Sequence, residues 1–282
     1  MSSKAVNIVW LKRDLRSQDH APLLKAECAG IPYLIIYLFE PSRIEYPDTS
    51  QRHLQFIYHS IGNLDKVLSE FNRRVELFYG EAIEVFNYLI KDLDIISVFS
   101  YQESGTQHSW ERDKKIKQFC KSNQINWKES QRDGILRGVK NRKDWNKKWH
   151  LKMNKPVIQN KYTISKETCL EHPFTMPSLL ESQLKEYSKH YQPPGEKNAW
   201  RYLKSFTNQR GFNYQRHISK PMESRISCSR LSPYLAWGNM SIRQAFQFIG
   251  THPNVTRNSK AFSAMLTRLH WHCHFIQKFE ME

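Results

Sequence analysis

The sequence predicts an α/β fold: a doubly wound parallel sheet over residues 1–130, then a mainly α-helical region from residue 196. Three observations carry this. Short apolar runs alternate with amphipathic stretches as far as Lys128, and strand–helix alternation implies parallel pairing. The runs are apolar at consecutive positions, which fits a sheet covered on both faces. After Gly195 the apolar residues recur every three or four positions, the period of helices.

Taken in order, Asn7-Ile-Val-Trp-Leu11 is a buried strand that leads into Lys12-Arg13-Asp14. Asp19 is placed to cap the next helix, with Pro22 in its first turn and Gly30 at its end. Tyr33 to Phe39 is the second strand. A long helix runs from Ser50 to Asn72, with Leu54, Ile57, Ile61, Leu64, Leu68 and Phe71 on one face. Strands at Val75–Tyr79, Ile95–Tyr101 and Ile125–Lys128 alternate with helices at Glu81–Leu93 and Trp110–Lys121. Ligands of such sheets sit beyond the carboxyl ends of the strands. Lys12-Arg13-Asp14 and Gln102-Glu103 would therefore line one crevice. No glycine-rich turn follows the first strand, which argues against a standard dinucleotide site.

From Gln131 to Gln192 the periodicity fades, and 131–195 reads as an interdomain connector. Arg137, Lys140, Arg142, Lys143, Lys147, Lys148 and Lys152 surround Trp145 and Trp149. This is either a nucleic-acid surface with stacking rings or a solvated connector whose tryptophans dock on the first domain. Beyond it, a helix at Glu196–Arg210 carries Ala199, Leu203 and Phe206 and ends at Gly211. Ser241 caps another helix. The last helix, from Asn258, has Phe262, Met265, Leu269, Cys273, Ile276 and Phe279 as its apolar face. His270 and His274 have the spacing of a zinc pair, but no third ligand is evident and no metal is expected.

The most chemically loaded stretch is Arg225 to Gly238. Ser227, Ser229 and Ser232 lie among Arg225 and Arg230, and Pro233 then opens an apolar helix that Gly238 can close. A helix start flanked by hydroxyls and guanidinium groups suits a phosphate. It equally suits an N-capped core helix with a polar lead-in.

The chain has 282 residues, a formal net charge of +16 and 39% apolar residues, enough for two modest domains. The positive excess favours a polyanionic partner, with nucleic acid first. Five scattered cysteines without a C-x-x-C pair indicate neither a disulfide framework nor a zinc ribbon. No apolar run approaches the roughly 20 residues of a membrane span. A soluble, cytoplasmic monomer is expected.

Ser229-Arg-Leu-Ser-Pro-Tyr-Leu-Ala-Trp-Gly238 closely resembles the flavin-phosphate segment of the photolyase/cryptochrome family, with Cys228 where that segment usually has its first hydroxyl. Val9-Trp-Leu-Lys-Arg-Asp-Leu-Arg16 with Asp19 resembles the opening of the same family's Rossmann-like antenna domain, with Leu11, Lys12 and His20 as departures. Glu103 and Arg112-Asp113 match the Glu…Arg-Asp of that domain. Tyr214 and Arg216 stand near the family's phosphate-binding Tyr and DNA-facing Arg. Arg268-Leu-His-Trp-His-Cys-His-Phe275 falls where the family has Glu-Leu-x-Trp-Arg-Glu-Phe.

The resemblance implies FAD held by Tyr214, Cys228, Ser229, Arg230, Leu231, Ser232, Arg268 and His272. It implies an antenna chromophore, folate or deazaflavin, near Lys12, Arg13 and Glu103. Trp271, Arg268 and His272 would form a lesion pocket, with Arg216 and Trp271 on DNA. A simple ion-paired turn is the other reading of Asp14 and Arg16, and a packed core Trp the other reading of Trp271. The implied activity is light-driven repair of pyrimidine dimers in UV-damaged DNA, single strands included, with a damaged pair the easiest to unstack. A cryptochrome-type photoreceptor is the alternative, and an electron-transfer-flavoprotein-like nucleotide module a weaker one. Arg268 donates but cannot accept from a thymine N–H, so a substrate other than an ordinary duplex cyclobutane dimer, or no repair, is expected. Family members run well beyond Glu282. A fragment or truncated gene product is therefore expected, one that binds FAD weakly, photoreduces it poorly and tends to aggregate.

Overall fold

The computed structural model describes residues 4–166 and 170–282; Cys169 lies outside them. In chain order the elements are β1 (Lys4–Leu11), α1 (Ala21–Cys28), β2 (Tyr33–Phe39), α2 (Pro41–Ile44), α3 (Gln51–Leu68), β3 (Val75–Tyr79), α4 (Ala82–Asp92), β4 (Leu93–Tyr101), α5 (Gln107–Ser122) and β5 (Asn126–Ser130). They continue with α6 (Trp145–Met153), α7 (Ser178–Lys185), α8 (Glu196–Asn208), α9 (Tyr214–His217), α10 (Pro221–Ser227), α11 (Ser232–Ala236), α12 (Ile242–Gly250) and α13 (Ser259–Phe279). The chain divides into two compact units, Met1–Ser130 with Ile158–Gly195 and Gln131–Val157 with Glu196–Glu282. The stretch read above as a connector is thus shared between them.

In the first unit all five strands pair in parallel, in the order β3-β2-β1-β4-β5. Asn7 aligns with Tyr33 on one side and Ser97 on the other. Ile8, Trp10, Ile36, Phe78, Phe86 and Val98 form one core face, all fully buried. Burying each such side chain contributes about 1.5–3 kcal/mol. Helix α3 starts where Ser50 accepts from the His53 N–H, and Phe56, Ile57, Ile61, Leu64 and Leu68 face inward. The strand order reverses between β1 and β4, so Lys12 and Glu103 leave the sheet side by side.

Asp19 does not cap α1. His20 does, its Nδ1 accepting from the Leu23 N–H at 3.2 Å. Asp19 takes a left-handed φ of 55°, and its carboxylate accepts from the Ile158 N–H instead. The returning segment is laced there, since the Asn160 side chain both accepts from and donates to the His20 backbone at 2.9 Å. Asp14 and Arg16 fix the turn: Asp14 accepts from the Lys12 N–H and pairs with His20 at 2.8 Å, and Arg16 donates to the Asp19 carbonyl and Tyr101.

In the second unit α8 turns its Ala199, Leu203 and Phe206 inward. Phe206 meets Tyr214 edge-on and stacks with Phe262 of α13. Gly211 has to be glycine, because a Cβ there would lie 2.6 Å from the Phe206 ring. Ser241 and Gln244 form a reciprocal capping box on α12. Trp145 and Trp149, expected to dock on the first domain if the stretch were a connector, are buried among residues of the second unit itself, Trp145 donating to the Gly134 carbonyl and Trp149 packing on Phe246 and His270. Along α13, Phe262, Met265, Leu269 and Cys273 are buried as expected, but Ile276 is only half-buried and Phe279 is 58% exposed. Gln277 goes inward in their place, because its amide pairs with both backbone groups of Leu136, at 2.7 and 2.9 Å. Among the described residues no helix is long and apolar enough to cross a membrane.

Candidate cofactor sites

At the strand ends of the first unit the charges close on one another. Arg112 of α5 bonds Glu40 at 2.8 Å, Glu103 at 2.7 Å and Asp113 at 2.8 Å. Lys12 bonds Asp113 at 2.9 Å and lies over the Trp10 ring. Arg13 and Arg43 both reach Glu103, at 3.1 and 3.2 Å. Burial alone would raise the Glu103 carboxyl; Arg43, Arg112 and Arg13 hold it well below the usual carboxylate range. Burial pushes the Lys12 ammonium down, against Asp113. Of the three antenna candidates, Lys12 and Glu103 are buried within this network. Arg13 keeps 32% of its side chain exposed. On α2, Ser42 donates to Glu81 at 2.8 Å and meets His108 at 3.0 Å, and Tyr46 stacks on that His108. Sequence reasoning missed Glu40, Arg43, Ser42 and His108, because their partners lie 39 to 72 positions away.

In the second unit the Ser229–Gly238 stretch folds as expected around a short helix. Gly238, with φ +73°, closes α11 in the left-handed region that glycine reaches at no cost. No side chain caps α11, and Ser232 is exposed while Ser229 is buried. Arg230 takes a left-handed φ of 62°. Tyr214 is buried, and its hydroxyl accepts from Arg268. Burial pushes the Tyr214 phenol up to about 12, so it stays a neutral donor. Burial likewise raises the Cys228 thiol, opposed by Arg210, Arg230 and Arg268, whose guanidinium groups all act on it. Three cations, Arg230 among them, therefore act on Cys228. Among the described residues neither Arg210 nor Arg268 has a carboxylate partner.

Trp271 is not a core residue: it is 42% exposed, with the Arg268 guanidinium 4.5 Å from its ring centroid. His272 is half-buried, and burial lowers its pKa against Asp133. Arg216 is exposed on α9. Leu231 is buried and turns its backbone into α11. His270 and His274 pack around Trp145, and no group of three or more His, Cys, Asp or Glu among the described residues is placed to hold a metal ion. Arg210 was not singled out in the sequence. Its position just before Gly211, at the end of α8, was the available signal, since cations there satisfy helix-end carbonyls.

The model of the DNA photolyase family matches residues 7–147, half of the chain. This chain belongs to the DNA photolyase family. A deoxyribodipyrimidine photo-lyase of Buchnera aphidicola is 24% identical over 93% of this chain and 56% of its own length. A cryptochrome DASH of Gloeobacter violaceus is 28% identical over 36% of this chain and 21% of its own. Among solved structures, a bacterial class III photolyase from Agrobacterium tumefaciens superposes with a TM-score of 0.77 at 19% identity, covering 99% of this chain and 60% of that one. An archaeal photolyase from Sulfolobus tokodaii, solved with two FAD molecules, gives 0.71 at 21% identity, covering 96% and 59%. This family member thus spans somewhat over half the length of these photolyases. Their fold is its fold: the parallel sheet with its helices, then the helical unit.

Proposed function

We propose that this photolyase-family chain binds FAD and serves light-dependent repair of UV-induced pyrimidine dimers in DNA. The observation that carries the reading is that Arg210 and Arg268, together with Arg230 of the same segment, act on Cys228, next to the buried Tyr214 hydroxyl. That set fits a dianionic diphosphate: a charge-assisted donor from Arg268, a neutral phenol, and the hydroxyls of Ser229 and Ser232, with Arg210 adding positive charge while its own donors hold the backbone. Reduced flavin bound there would supply, on blue-light excitation, the electron that opens the dimer.

The chain's own part is binding and orientation. Arg268 links the two sites, bonded to Tyr214 on one side and lying over Trp271 on the other. Trp271 offers an accessible ring on which an unstacked base can rest. Arg216 is exposed for a phosphate contact. At the strand-end crevice an antenna chromophore, folate or deazaflavin, would meet Arg13 and Arg43 rather than Lys12 and Glu103, which are enclosed. Arg268 also supports a second reading, a cryptochrome-type photoreceptor, because a donor-only side chain beside Trp271 cannot accept from a thymine N–H.

The test is to titrate the purified chain with FAD and then illuminate it with a dimer-containing oligonucleotide, single- and double-stranded, while following recovery of the bases' absorbance. Saturable FAD binding with light-dependent recovery supports repair. FAD binding without recovery on either strand form supports the photoreceptor. No FAD binding removes both.

A further inference from the structure

We infer that Arg210 is the residue that positions the phosphate-binding segment, holding residues 226–229 in place through their backbone carbonyls. The inference rests on the flavin reading above. One guanidinium donates to five acceptors on two elements. Its Nε reaches Ser205 Oγ at 3.0 Å, and its Nη2 reaches the Tyr202 carbonyl at 2.9 Å and the Ser229 carbonyl at 3.2 Å. Its Nη1 reaches the Ile226 carbonyl at 2.9 Å and the Cys228 carbonyl.

Tyr202 lies in the last two turns of α8, while 226–229 is the passage from α10 into α11. Ile226 and Ser227 close the last turn of α10, but beyond it no regular structure fixes the chain: Cys228 is extended and Arg230 is left-handed. Such a passage keeps one conformation only when its polar groups are tied elsewhere. Arginine can do this because its donors form a rigid planar fork; lysine carries the same charge as a single point. Arg210 lines a cleft of ≈ 700 Å³ together with Ser205, His217, Glu223, Ile226 and Ser227. Removing the side chain would therefore leave a solvent-reachable hole shaped for a guanidinium ion.

The experiment compares Arg210→Ala and Arg210→Lys with the parent chain. It reads FAD affinity, hydrogen exchange of the 226–232 amides, and alkylation of Cys228 identified by peptide mass. Both variants should bind FAD about tenfold or more weakly, exchange faster over 226–232 and expose Cys228 to alkylation. Millimolar guanidinium, but not ammonium, should restore the Arg210→Ala variant. An Arg210→Lys chain that matches the parent in all three readouts would overturn the inference, leaving only a charge effect. So would weakened FAD binding with unchanged exchange. If the parent binds no FAD, the flavin reading falls, and the exchange and alkylation readouts still decide whether Arg210 fixes the segment.

Discussion

Glu103→Gln tests the charge network at the strand ends. Lys12, Arg13, Arg43 and Arg112 face Glu40, Glu103 and Asp113 there. Replacing Glu103 leaves four cations against two anions. The three arms on its carboxylate are unequal. Arg13 and Arg43 keep 32% and 29% of their side chains exposed, so water takes over much of their loss. Arg112 is only 8% exposed and Glu103 2%, so that pair has no solvent to fall back on. Breaking a buried pair by removing one partner costs about 3–5 kcal/mol, and the Arg112 arm alone places the variant in that range.

The assay is urea unfolding with hydrogen exchange at β1 and β4 as the probe, so that the first unit is followed by itself. The folded Glu103 carboxyl titrates well below its ordinary value of 4.5. Its stabilisation is complete above that pH and is lost as pH falls through the folded value. The Glu103→Gln chain should lose that acid-side dependence as well. A loss under about 1 kcal/mol at neutral pH, with the acid limb unchanged, would refute the reasoning and return Glu103 to the role of a ligand group.

His20 is held neutral by burial, its pKa lowered from 6.5, while the unfolded chain protonates near that value. Stability should therefore fall below pH 6.5, by up to about 1.4 kcal/mol per pH unit; His20→Gln, which keeps an N–H for Asp14, should flatten urea midpoints over that range. Asn7 is buried in β1 with neither side-chain atom hydrogen-bonded among the described residues, so Asn7→Val should raise the unfolding free energy by roughly 1–3 kcal/mol, and an unchanged or lowered midpoint would show that its amide is satisfied. On α6 and the loop before it, Lys143, Lys147 and Lys148 are exposed while both tryptophans are buried, which leaves charge without stacking. Replacing the three with Gln should lower the slope of log affinity against log salt on undamaged duplex by about 2–3, equally on all base compositions, and an unchanged slope would take this surface off the DNA.

The sequence by itself determined the elements and their pairing sense. Seven consecutive apolar and β-favouring residues in Tyr33–Phe39 fit a strand buried on both faces, and Ser50 and Ser241 announce their helices, because burial period and capping act within a few residues. The helix start at Pro233 and its closing glycine were legible locally, while the Ser229–Gly238 motif was legible only through its family resemblance. Helix α6 was legible in principle, with Trp145, Trp149 and Met153 four apart, but the many lysines between them masked it. What only the tertiary structure decided was the choice of partners. The sheet order put β4 beside β1, and that brought Arg112 to Glu40 and Lys12 to Asp113, 72 and 101 positions apart. The same holds for Gln277 displacing Phe279 from the core, since a polar side chain goes inside only where backbone groups such as those of Leu136 wait for it. It holds most for Arg210, whose five acceptors come from two separate elements. Local periodicity encodes which face is buried; it carries no record of which distant carbonyl will lie 3 Å from which guanidinium.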